Sequence, residues 1–395
     1  MDKSIMQIDK NACTGCGACA ASCIVNAITL KYDAEGFWAP NLEVSRCVSC
    51  GKCWEVCSAA HPVGAHQKPL MRVMQLLDRQ ALMHSASGGV FYGLACHMIK
   101  QGGVVYGCQL NREVMPVHTR VTDVEALKRL QGSKYVQSLI CPQIYQSVRS
   151  DLKKGLRVLF SGTPCQIAGL IRYLGGYRER LITVDVICHG VASPGIWSHY
   201  LAVREKEFGQ KIMDAQFRDR SVGHYPKNRS ITLYTQEVVH HRKALNDGFG
   251  SSFYHNRILR ESCYRCPYSQ RARISDLSLG DYGKKDKYVR DFPSDDGYSV
   301  VLVNTKAGAE LLDATQNLFM QIPLNNDYSQ INLIQPTLRP KERNAMQHMK
   351  FQPEDPAHDI GIELRVTMED RLKHLLPQKL KDAVKKQIRK VGRNV

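Results

Sequence analysis

The sequence lacks any long apolar run. No stretch of its 395 residues approaches the ~20 apolar residues of a membrane-spanning helix, so we expect no such helix. Acidic residues are also scarce, because 37 aspartates and glutamates stand against 54 lysines and arginines, for a formal net charge of +17. Such a surface suits nucleic acid, an anionic membrane or an acidic protein partner. Basic and aromatic residues are not interleaved, which argues against a nucleic-acid ligand.

Cysteine, by contrast, is abundant and strongly clustered. Eight of the 15 cysteines lie in the first 57 residues, in two runs that share the spacing C-x2-C-x2-C-x3-C. In bacterial two-cluster ferredoxins the fourth cysteine of each such run ligates the other cluster. We therefore predict two 4Fe-4S clusters, one held by Cys13, Cys16, Cys19 and Cys57 and the other by Cys23, Cys47, Cys50 and Cys53.

Two alternatives for these runs are a disulfide framework and a pair of structural zinc sites. Zinc sites more often use two ligand pairs than a triplet followed by a remote fourth ligand. No secretory leader precedes the first run, so we expect a cytoplasmic rather than an oxidising location. The proline that usually follows the fourth cysteine is replaced by Ile24 and Ser58, whereas Gly15, Gly17 and Gly51 suit a backbone that bends sharply around sulfide.

The chain divides into a small and a large part. Residues 1–66 predict the ferredoxin domain and residues 67–84 a linker with one short helix. Alternating strand and helix patterns then predict a mixed α/β or α+β domain over residues 85–350. Residues 351–395 form a basic tail, in which Leu380, Val384, Ile388 and Val391 share one helical stripe. Such a helix suits peripheral contact with the inner membrane surface or an acidic partner, and a solvated end is the alternative.

A candidate anion site begins the large domain. Ser85-Ala-Ser-Gly-Gly89 precedes a helical pattern that Gly102-Gly103 stops, and a strand is expected from Val104. We expect Ser87 to cap this helix, whose bare N-terminus would suit the pyrophosphate of a flavin or nucleotide. An ordinary capped helix is the alternative.

A strand–helix–strand unit brings two more cysteines to one sheet edge. Strands over 156–160 and 181–187 flank a helix that Thr163 caps and Gly175-Gly176 end, so the strands should be parallel. Cys165 and Cys188 then lie at their carboxyl ends, where open sheets bind ligands. With Cys263 and Cys266 they predict a third 4Fe-4S cluster. A zinc site or a redox-active Cys263–Cys266 disulfide is the alternative.

The three other cysteines carry no such pattern. Cys96, Cys108 and Cys141 are interpreted as small buried apolar residues.

Several motifs together resemble the family of coenzyme F420 hydrogenase/dehydrogenase beta subunits. In order they are Ser-Ala-Ser-Gly-Gly at 85–89, Gly-Ser-Lys-Tyr-Val-Gln-Ser at 132–138, Ser-Gly-Thr-Pro-Cys-Gln-Ile-Ala-Gly at 161–169, Asp-Val-Ile-Cys-His-Gly at 185–190, Cys-x-x-Cys-Pro at 263–267 and Leu-Gly-Asp at 279–281. The resemblance covers about residues 1–300. It implies FAD, iron–sulfur clusters and chemistry on a two-electron carrier. Relatives include subunits of F420-reducing hydrogenases and 7-hydroxymethyl chlorophyll a reductase, and the chain most resembles bacterial members in surface-polysaccharide gene clusters.

The resemblance also implies site residues. The cofactor-binding residues it implies are Ser87, Gly88, Gly89, Gly132, Ser133, Lys134, Thr163, Gln166 and Asp281. Lys134 would stabilise negative charge on reduced flavin. His189 would deliver protons, or would only orient its neighbouring cluster ligand. After Asp281, Gly283-Lys-Lys replaces the aromatic pair and glycine common in relatives, which leaves the specificity for the carrier open.

We thus expect an iron–sulfur flavoprotein oxidoreductase that passes electrons between ferredoxin-type clusters and a flavin. Its expected partners are a redox protein or ferredoxin and a small two-electron carrier or substrate. A non-catalytic electron-transfer adaptor that docks a partner enzyme is one alternative, and a zinc-dependent nucleic-acid-binding protein is another. Bound flavin would argue against the electron-transfer adaptor, which needs none. Bound iron rather than zinc would argue against the zinc-dependent nucleic-acid-binding protein. The sequence defines neither the substrate nor the direction of electron flow nor the oligomeric state.

Overall fold

The computed structural model describes residues 3–66, 69–222, 229–282, 297–322, 330–364 and 366. The strands are β1 (Ile28–Tyr32), β2 (Trp38–Leu42), β3 (Leu70–Leu76), β4 (Val104–Leu110), β5 (Pro116–Val121), β6 (Val158–Gly162), β7 (Leu181–Val186), β8 (Asp214–Gln216), β9 (Ser230–Tyr234), β10 (Val239–Lys243), β11 (Leu277–Tyr282), β12 (Tyr298–Val303) and β13 (Phe319–Ile322). The helices are α1 (Ala18–Ser22), α2 (Lys52–Glu55), α3 (Arg79–Met83), α4 (Val90–Lys100), α5 (Val124–Leu127), α6 (Pro142–Lys153), α7 (Pro164–Leu174), α8 (Pro194–Phe208), α9 (Gly248–Tyr254) and α10 (Lys306–Asp313).

A mixed eight-stranded sheet organises the large part of the chain. Its strand order is β13-β3-β12-β11-β7-β6-β4-β5. The four central strands β11, β7, β6 and β4 are parallel, and the pairs toward both edges are antiparallel. Val158, Leu159 and Phe160 of β6 are completely buried, as expected for a parallel strand covered on both faces. The expected mixed α/β class is therefore confirmed.

The predicted strand–helix–strand unit is present as β6, α7 and β7. Thr163 is the N-cap of α7, and its backbone N–H donates a hydrogen bond to Oε1 of Gln166 at 3.0 Å. Pro164 takes the first helical position, where a missing N–H costs nothing, and Gly175 ends the helix with a φ of +58°. Strands β6 and β7 pair in parallel as predicted, with boundaries shifted by one or two residues. Their carboxyl ends therefore meet at one edge.

Two local predictions are wrong. Residues 67–84 are not a linker with only a short helix, because β3 lies inside the sheet between β12 and β13. Its sequence, Leu-Met-Arg-Val-Met-Gln-Leu, has a single β-branched residue and therefore a weak strand signal. Ser87 does not cap α4, since Gly89 takes the N-cap position with a φ of +73°. Ser87 instead donates its hydroxyl to the carbonyl of Tyr298 at 2.8 Å.

The N-terminal part packs against the large part through the turn between β1 and β2. Gly36 has a φ of +70°, and a Cβ there would lie 2.8 Å from Cα of Gly195, so only glycine permits this contact. The Gly195 N–H donates to the Gly36 carbonyl at 3.0 Å. The neighbouring Glu35 pairs with buried Arg343 at 2.6 Å. The two parts are thus joined by a buried, directional contact.

Three features bear on sequence predictions outside the sheet. No helix among the described residues is long and apolar enough to cross a membrane. The predicted amphipathic stripe at 377–395 lies outside the described residues, and so does Gly283-Lys-Lys.

Candidate functional site

The first cysteine set combines three residues of the first run with one of the second. Burial raises the pKa of the Cys16 thiol to about 12, and the nearby thiols of Cys13 and Cys57 add to the increase. Burial also raises the pKa of Cys19, with further contributions from Cys16, Cys13 and Cys57. Cys57 therefore lies beside the first run, which is the crossing that a two-cluster ferredoxin requires.

The second cysteine set lies nearer the surface. Cys50 is exposed, whereas the other three members, Cys23, Cys47 and Cys53, are half-buried. Burial raises the pKa of the Cys53 thiol, and the Cys50 thiol contributes in the same direction. Cys23 and Cys53 pack against the same small apolar core as the first set. The second set is therefore the one from which electrons can reach solvent or a partner most directly.

The four dispersed cysteines form a third set. Burial raises the pKa of the Cys165 thiol to about 12, followed by a contribution from Cys266 and a smaller one from Cys263. Burial also raises the pKa of Cys188, and Cys263, Cys165 and Cys266 all add to it. Four half-buried thiolates this close would repel one another strongly unless a cation compensated them. This donor set therefore fits a metal cluster.

The three sets differ from a site for one metal ion. Within the described ranges, no group of three or more His, Cys, Asp or Glu side chains is arranged to hold a single ion. Each cysteine of a four-iron cluster binds a different iron, so its ligands do not need to converge on one point.

The first and third sets are neighbours. The Cys165 thiol contributes to the raised pKa of Cys16. A Cβ at Gly169 of α7 would lie 2.7 Å from Sγ of Cys16, so the glycine lets the first ligand run approach the helix. Burial raises the pKa of Tyr268, and the thiols of Cys165, Cys16 and Cys266 then add to it, which places its ring beside both sets. The three ligand sets therefore form a continuous series from exposed Cys50 to Cys188.

A cavity of about 600 Å³ opens at the carboxyl edge of β6 and β7. Most of the sequence-predicted flavin and catalytic residues line it: Ser87, Gly89, Gly132, Ser133, Lys134, Thr163, Gln166, His189 and Asp281. Cys188 of the third set lies on the same wall. Gly88 does not line the cavity, and its N–H donates a hydrogen bond to Oγ of Ser299, which does line it, at 2.9 Å. A Cβ there would lie 2.3 Å from the Met74 carbonyl oxygen, so Gly88 permits close backbone packing.

Lys134 shapes the loop along one side of this cavity. Its Nζ donates hydrogen bonds to the carbonyls of Gln131 at 2.7 Å and Arg129 at 3.0 Å. Burial lowers the pKa of its ammonium group, while Cys108 and Asp214 act in the opposite direction. Lys134 is therefore both a cation at the cavity and a support for the preceding loop.

His118 is a cavity residue that the sequence did not indicate. Its Nε2 lies 3.0 Å from the carbonyl oxygen of Ser161, which makes Nε2 the donor and Nδ1 the acceptor. Nδ1 lies 3.2 Å from Oγ of Ser138, and Oγ also accepts from Nε2 of Gln166 at 2.9 Å. Burial lowers the pKa of His118 to about 4, so the ring is neutral at physiological pH. Only the fold brings β5, the 136–138 segment and α7 together, and no motif marks this contact.

Asp281 lies inside β11 rather than after a strand, as the sequence had suggested. Its Oδ2 accepts a hydrogen bond from buried Arg218 at 2.6 Å, and both side chains line the cavity. Arg218 was not predicted from the sequence. Nearby, the rings of Tyr135 and Phe253 stack with their centroids 4.6 Å apart. This end of the cavity therefore combines a buried ion pair with an aromatic wall.

His189 lies next to Cys188 and lines the cavity, as predicted. Burial lowers the pKa of its imidazole, and its ring centroid lies 5.4 Å from that of Phe253. Its backbone carbonyl accepts a hydrogen bond from Thr337. This placement is compatible with both roles considered for His189, proton delivery and orientation of a cluster ligand.

The interpretation of the remaining cysteines needs correction. Cys96, Cys108 and Cys141 are half-buried rather than buried. Cys108 also lies on the cavity wall, because alternate side chains of β4 point to the face that the cavity occupies.

Comparisons with known proteins gave matches of three kinds. Residues 12–60 match the family model of the 4Fe-4S dicluster domain, and residues 155–322 match that of the C terminus of the coenzyme F420 hydrogenase/dehydrogenase beta subunit. The F(420)H(2) dehydrogenase of Methanosarcina mazei has an F subunit that is 21% identical over 369 residues, which are 90% of this chain and 96% of that protein. A chain from the F420-reducing NiFe hydrogenase complex of Methanosarcina barkeri is 16% identical, with a TM-score of 0.47, and the match covers 74% of this chain and 95% of that chain.

The dicluster match supports iron–sulfur clusters rather than zinc for the two N-terminal sets. The relative from Methanosarcina mazei is by its name a subunit of a dehydrogenase, which is an oxidoreductase. The chain is therefore similar to 4Fe-4S dicluster domains over residues 12–60 and to the C terminus of coenzyme F420 hydrogenase/dehydrogenase beta subunits over residues 155–322.

Proposed function

We propose that this chain is an iron–sulfur flavoprotein oxidoreductase. It exchanges single electrons with a protein partner and two electrons with a small carrier or substrate. The observation that carries this proposal is the position of Cys188, which belongs to the third cysteine set and also lines the cavity of the predicted flavin residues. A cavity that shares a wall with a cluster site is what flavin-linked electron transfer requires, whereas an adaptor needs no such cavity.

The cavity has the size and lining of a cofactor site. Its volume of about 600 Å³ lies within the range of ~300–1,000 Å³ usual for small-molecule sites. Lys134 supplies positive charge for anionic groups, and the aromatic wall of Tyr135 and Phe253 supplies apolar surface. When bound, a flavin such as FAD would supply both hydride and single-electron chemistry.

The fixed hydrogen bonds of the cavity wall favour a defined binding mode. Gln166, Ser138 and His118 form a chain in which each donor has an acceptor, so these side chains are held before any ligand binds. His189 is the titratable group that we assign to proton handling, because it lines the cavity beside the third set. Lys134 remains our candidate for stabilising negative charge on the reduced ligand.

The third cysteine set holds a 4Fe-4S cluster in this proposal. Its four half-buried cysteines lie together and adjoin the first set, so no long gap separates successive ligand sets. On the family resemblance alone, the substrate belongs to surface-polysaccharide biosynthesis, and F420 is one candidate carrier among several.

Anaerobic purification tests the cofactor content. The full-length protein should contain about twelve irons and about twelve labile sulfides per chain, since three 4Fe-4S clusters require them. It should also show the absorbance of a stoichiometric flavin. A protein with about eight irons would contradict the third cluster, and one with a full iron content but no affinity for flavin would favour the adaptor.

The electron donor is found by a screen of flavin reduction under the same conditions. Reduced ferredoxin, NADH, NADPH and reduced F420 are each mixed with the oxidised protein, and flavin bleaching is followed. Bleaching by one donor at a rate that saturates with its concentration identifies the carrier.

A further inference from the structure

The surface around the second cysteine set carries exposed apolar side chains. Ile24, Val44 and Val48 are 59%, 50% and 58% exposed, and the neighbouring Cys50 is exposed as well. Nη2 of Arg46 donates to the Val25 carbonyl at 3.0 Å, which holds the segments of Ile24 and Val44 together. We call this surface, formed by Ile24, Val44, Val48 and Cys50, the outer patch.

Positive charge surrounds the outer patch. Arg46 and Lys52 are exposed, and each lies two residues from an apolar or cysteine member of the patch. Exposed Lys3 is also close, because a Cβ at Gly51 would lie 3.7 Å from its Cβ. The acidic Glu43 pairs with Arg46 at 3.4 Å, but both side chains are more than half exposed, so the pair neutralises little. Cations therefore outnumber anions at the rim.

From these observations we propose that the outer patch docks an acidic one-electron carrier protein of the ferredoxin class. An apolar centre with a charged rim is typical of small, transient interfaces between redox proteins. Opposite charge on a partner would accelerate the encounter and orient it toward Cys50. The net charge of +17 favours an acidic partner in the same way. This inference rests on the proposed function only in taking the second set as the place where electrons enter or leave the protein.

Burial of the other two sets supports this assignment. Cys19 is only 7% exposed, the other cysteines of the first and third sets are half-buried, and Cys188 of the third set lines the cavity. Among the described cysteines of the three sets, Cys50 is the exposed one. A protein partner, which cannot enter the interior, would therefore meet the second set first.

The test compares a protein donor with a small donor. Full-length holoprotein is mixed by stopped flow with a reduced acidic 2Fe-2S ferredoxin at low ionic strength, and the return of the visible bands of the oxidised ferredoxin, which differ from those of 4Fe-4S clusters, gives a second-order rate constant. The double variant Arg46→Glu/Lys52→Glu should lower this constant about tenfold, and the difference should shrink at high salt. Reduction by methyl viologen, a small cationic donor, should not slow in the variant.

A matched variant controls for overall charge. Lys128→Glu/Lys306→Glu makes the same change in net charge at two exposed positions of the large part. It should change the rate constant for ferredoxin less than twofold, and an equal loss in both double variants would overturn the proposal.

Val44→Ser/Val48→Ser separately tests the apolar centre and should also lower the rate constant for electron transfer from ferredoxin. If analytical sedimentation instead shows that the wild type is a dimer and that this variant is a monomer, the outer patch is an interface between two copies of the chain and the proposal is wrong. Flavin content and viologen reduction report on the proposed function independently of all these outcomes.

Discussion

Nε of Arg260 donates a hydrogen bond to the backbone carbonyl of Cys13 at 2.8 Å. The Arg260 side chain is buried, and its Nη1 also donates to the Trp38 carbonyl at 3.0 Å. Its own backbone carbonyl accepts from the N–H of Cys263 at 2.9 Å. One buried cation therefore contacts the first ligand run and precedes a ligand of the third set by three residues. It lowers the thiol pKa values of Cys165 and Cys263, against the dominant effect of burial.

Replacing Arg260 should lower the reduction potential of the clusters beside it. Reduction adds negative charge, which a fixed cation stabilises. We expect Arg260→Gln to lower the potential of the third or first cluster by about 60 mV, a tenfold change in the one-electron equilibrium. Redox titration followed by electron paramagnetic resonance measures this shift.

A charge-conserving variant separates electrostatics from packing. Arg260→Lys keeps the cation but cannot make all the hydrogen bonds of the guanidinium. Its potentials should stay within about 20 mV of the wild type if charge is what matters. Equal shifts in the Lys and Gln variants would show that Arg260 acts only by positioning the ligand loop.

Removing one thiol of the third set should remove one cluster. Cys188→Ser is expected to lower the iron content from about twelve to about eight per chain, since a 4Fe-4S cluster rarely survives the loss of a thiolate ligand. Iron and sulfide analysis after anaerobic purification measures this loss. Cys96→Ser, in the middle of α4 and outside all three sets, is the matched control and should keep the full content.

Lys134 should contribute to flavin binding. Lys134→Met removes a cation from the cavity and leaves the carbonyls of Gln131 and Arg129 without their donor. We expect the dissociation constant for flavin to rise about tenfold, the effect of losing roughly 1.4 kcal/mol. Fluorescence titration of flavin-depleted protein measures this constant. Lys128→Met, at an exposed position paired with Glu125, should leave it unchanged, and an equal rise in both variants would contradict the role of Lys134.

Breaking the buried ion pair of Asp185 and Arg273 should strongly lower the free energy of unfolding. Arg273 donates to Oδ1 of Asp185 at 2.7 Å, and both side chains are almost completely shielded from water. Arg273→Met would leave the Asp185 carboxylate buried without its cation, at a cost of about 3–5 kcal/mol in the free energy of unfolding. Anaerobic denaturation followed by circular dichroism measures this loss. The double variant Asp185→Leu/Arg273→Met should recover part of it, and a double variant worse than the sum of the single changes would exclude the pairing argument.

His118 should make stability depend on pH. Its folded-state pKa is lowered from 6.5 to about 4, so the unfolded state binds more protons between these values. Stability therefore falls as the pH decreases through this window, by up to about 3 kcal/mol. His118→Gln should lose less stability between pH 7.5 and 5.5 than the wild type, as measured by thermal midpoints. His84→Gln, at an exposed position after α3, controls for the removal of a histidine. Parallel pH dependences in the wild type and His118→Gln would show that other groups dominate.

Much of the site followed from local patterns. Ligand spacing placed Cys57 with the first run because the geometry of a two-cluster ferredoxin is encoded in short repeats. The β6–α7–β7 unit followed from apolar periodicity, a proline at the first helical position and a terminal glycine pair. Parallel strands of such a unit must end at one edge, so the meeting of Cys165 and Cys188 was predictable.

Other contacts could not be read from local patterns. Strand β3 was missed because its Met- and Gln-rich sequence has low strand propensity, and burial between β12 and β13 overrides it. Arg260 reaches Cys13 across 247 positions, and Arg218 reaches Asp281 across 63. The periodicity of a sequence does not predict contacts between residues so far apart in the chain.

The sequence by itself therefore determined the two N-terminal cysteine runs, the class of fold and the edge of the sheet where Cys165 and Cys188 lie, because each depends on residues close together in the chain. Only the tertiary structure decided that the first set adjoins the third, that the cavity shares a wall with Cys188, and that Arg260 and His118 belong to the site. These relationships arise from packing between segments that are distant in the sequence. Burial and charge act between atoms a few ångströms apart in space, however far apart their residues are in the chain.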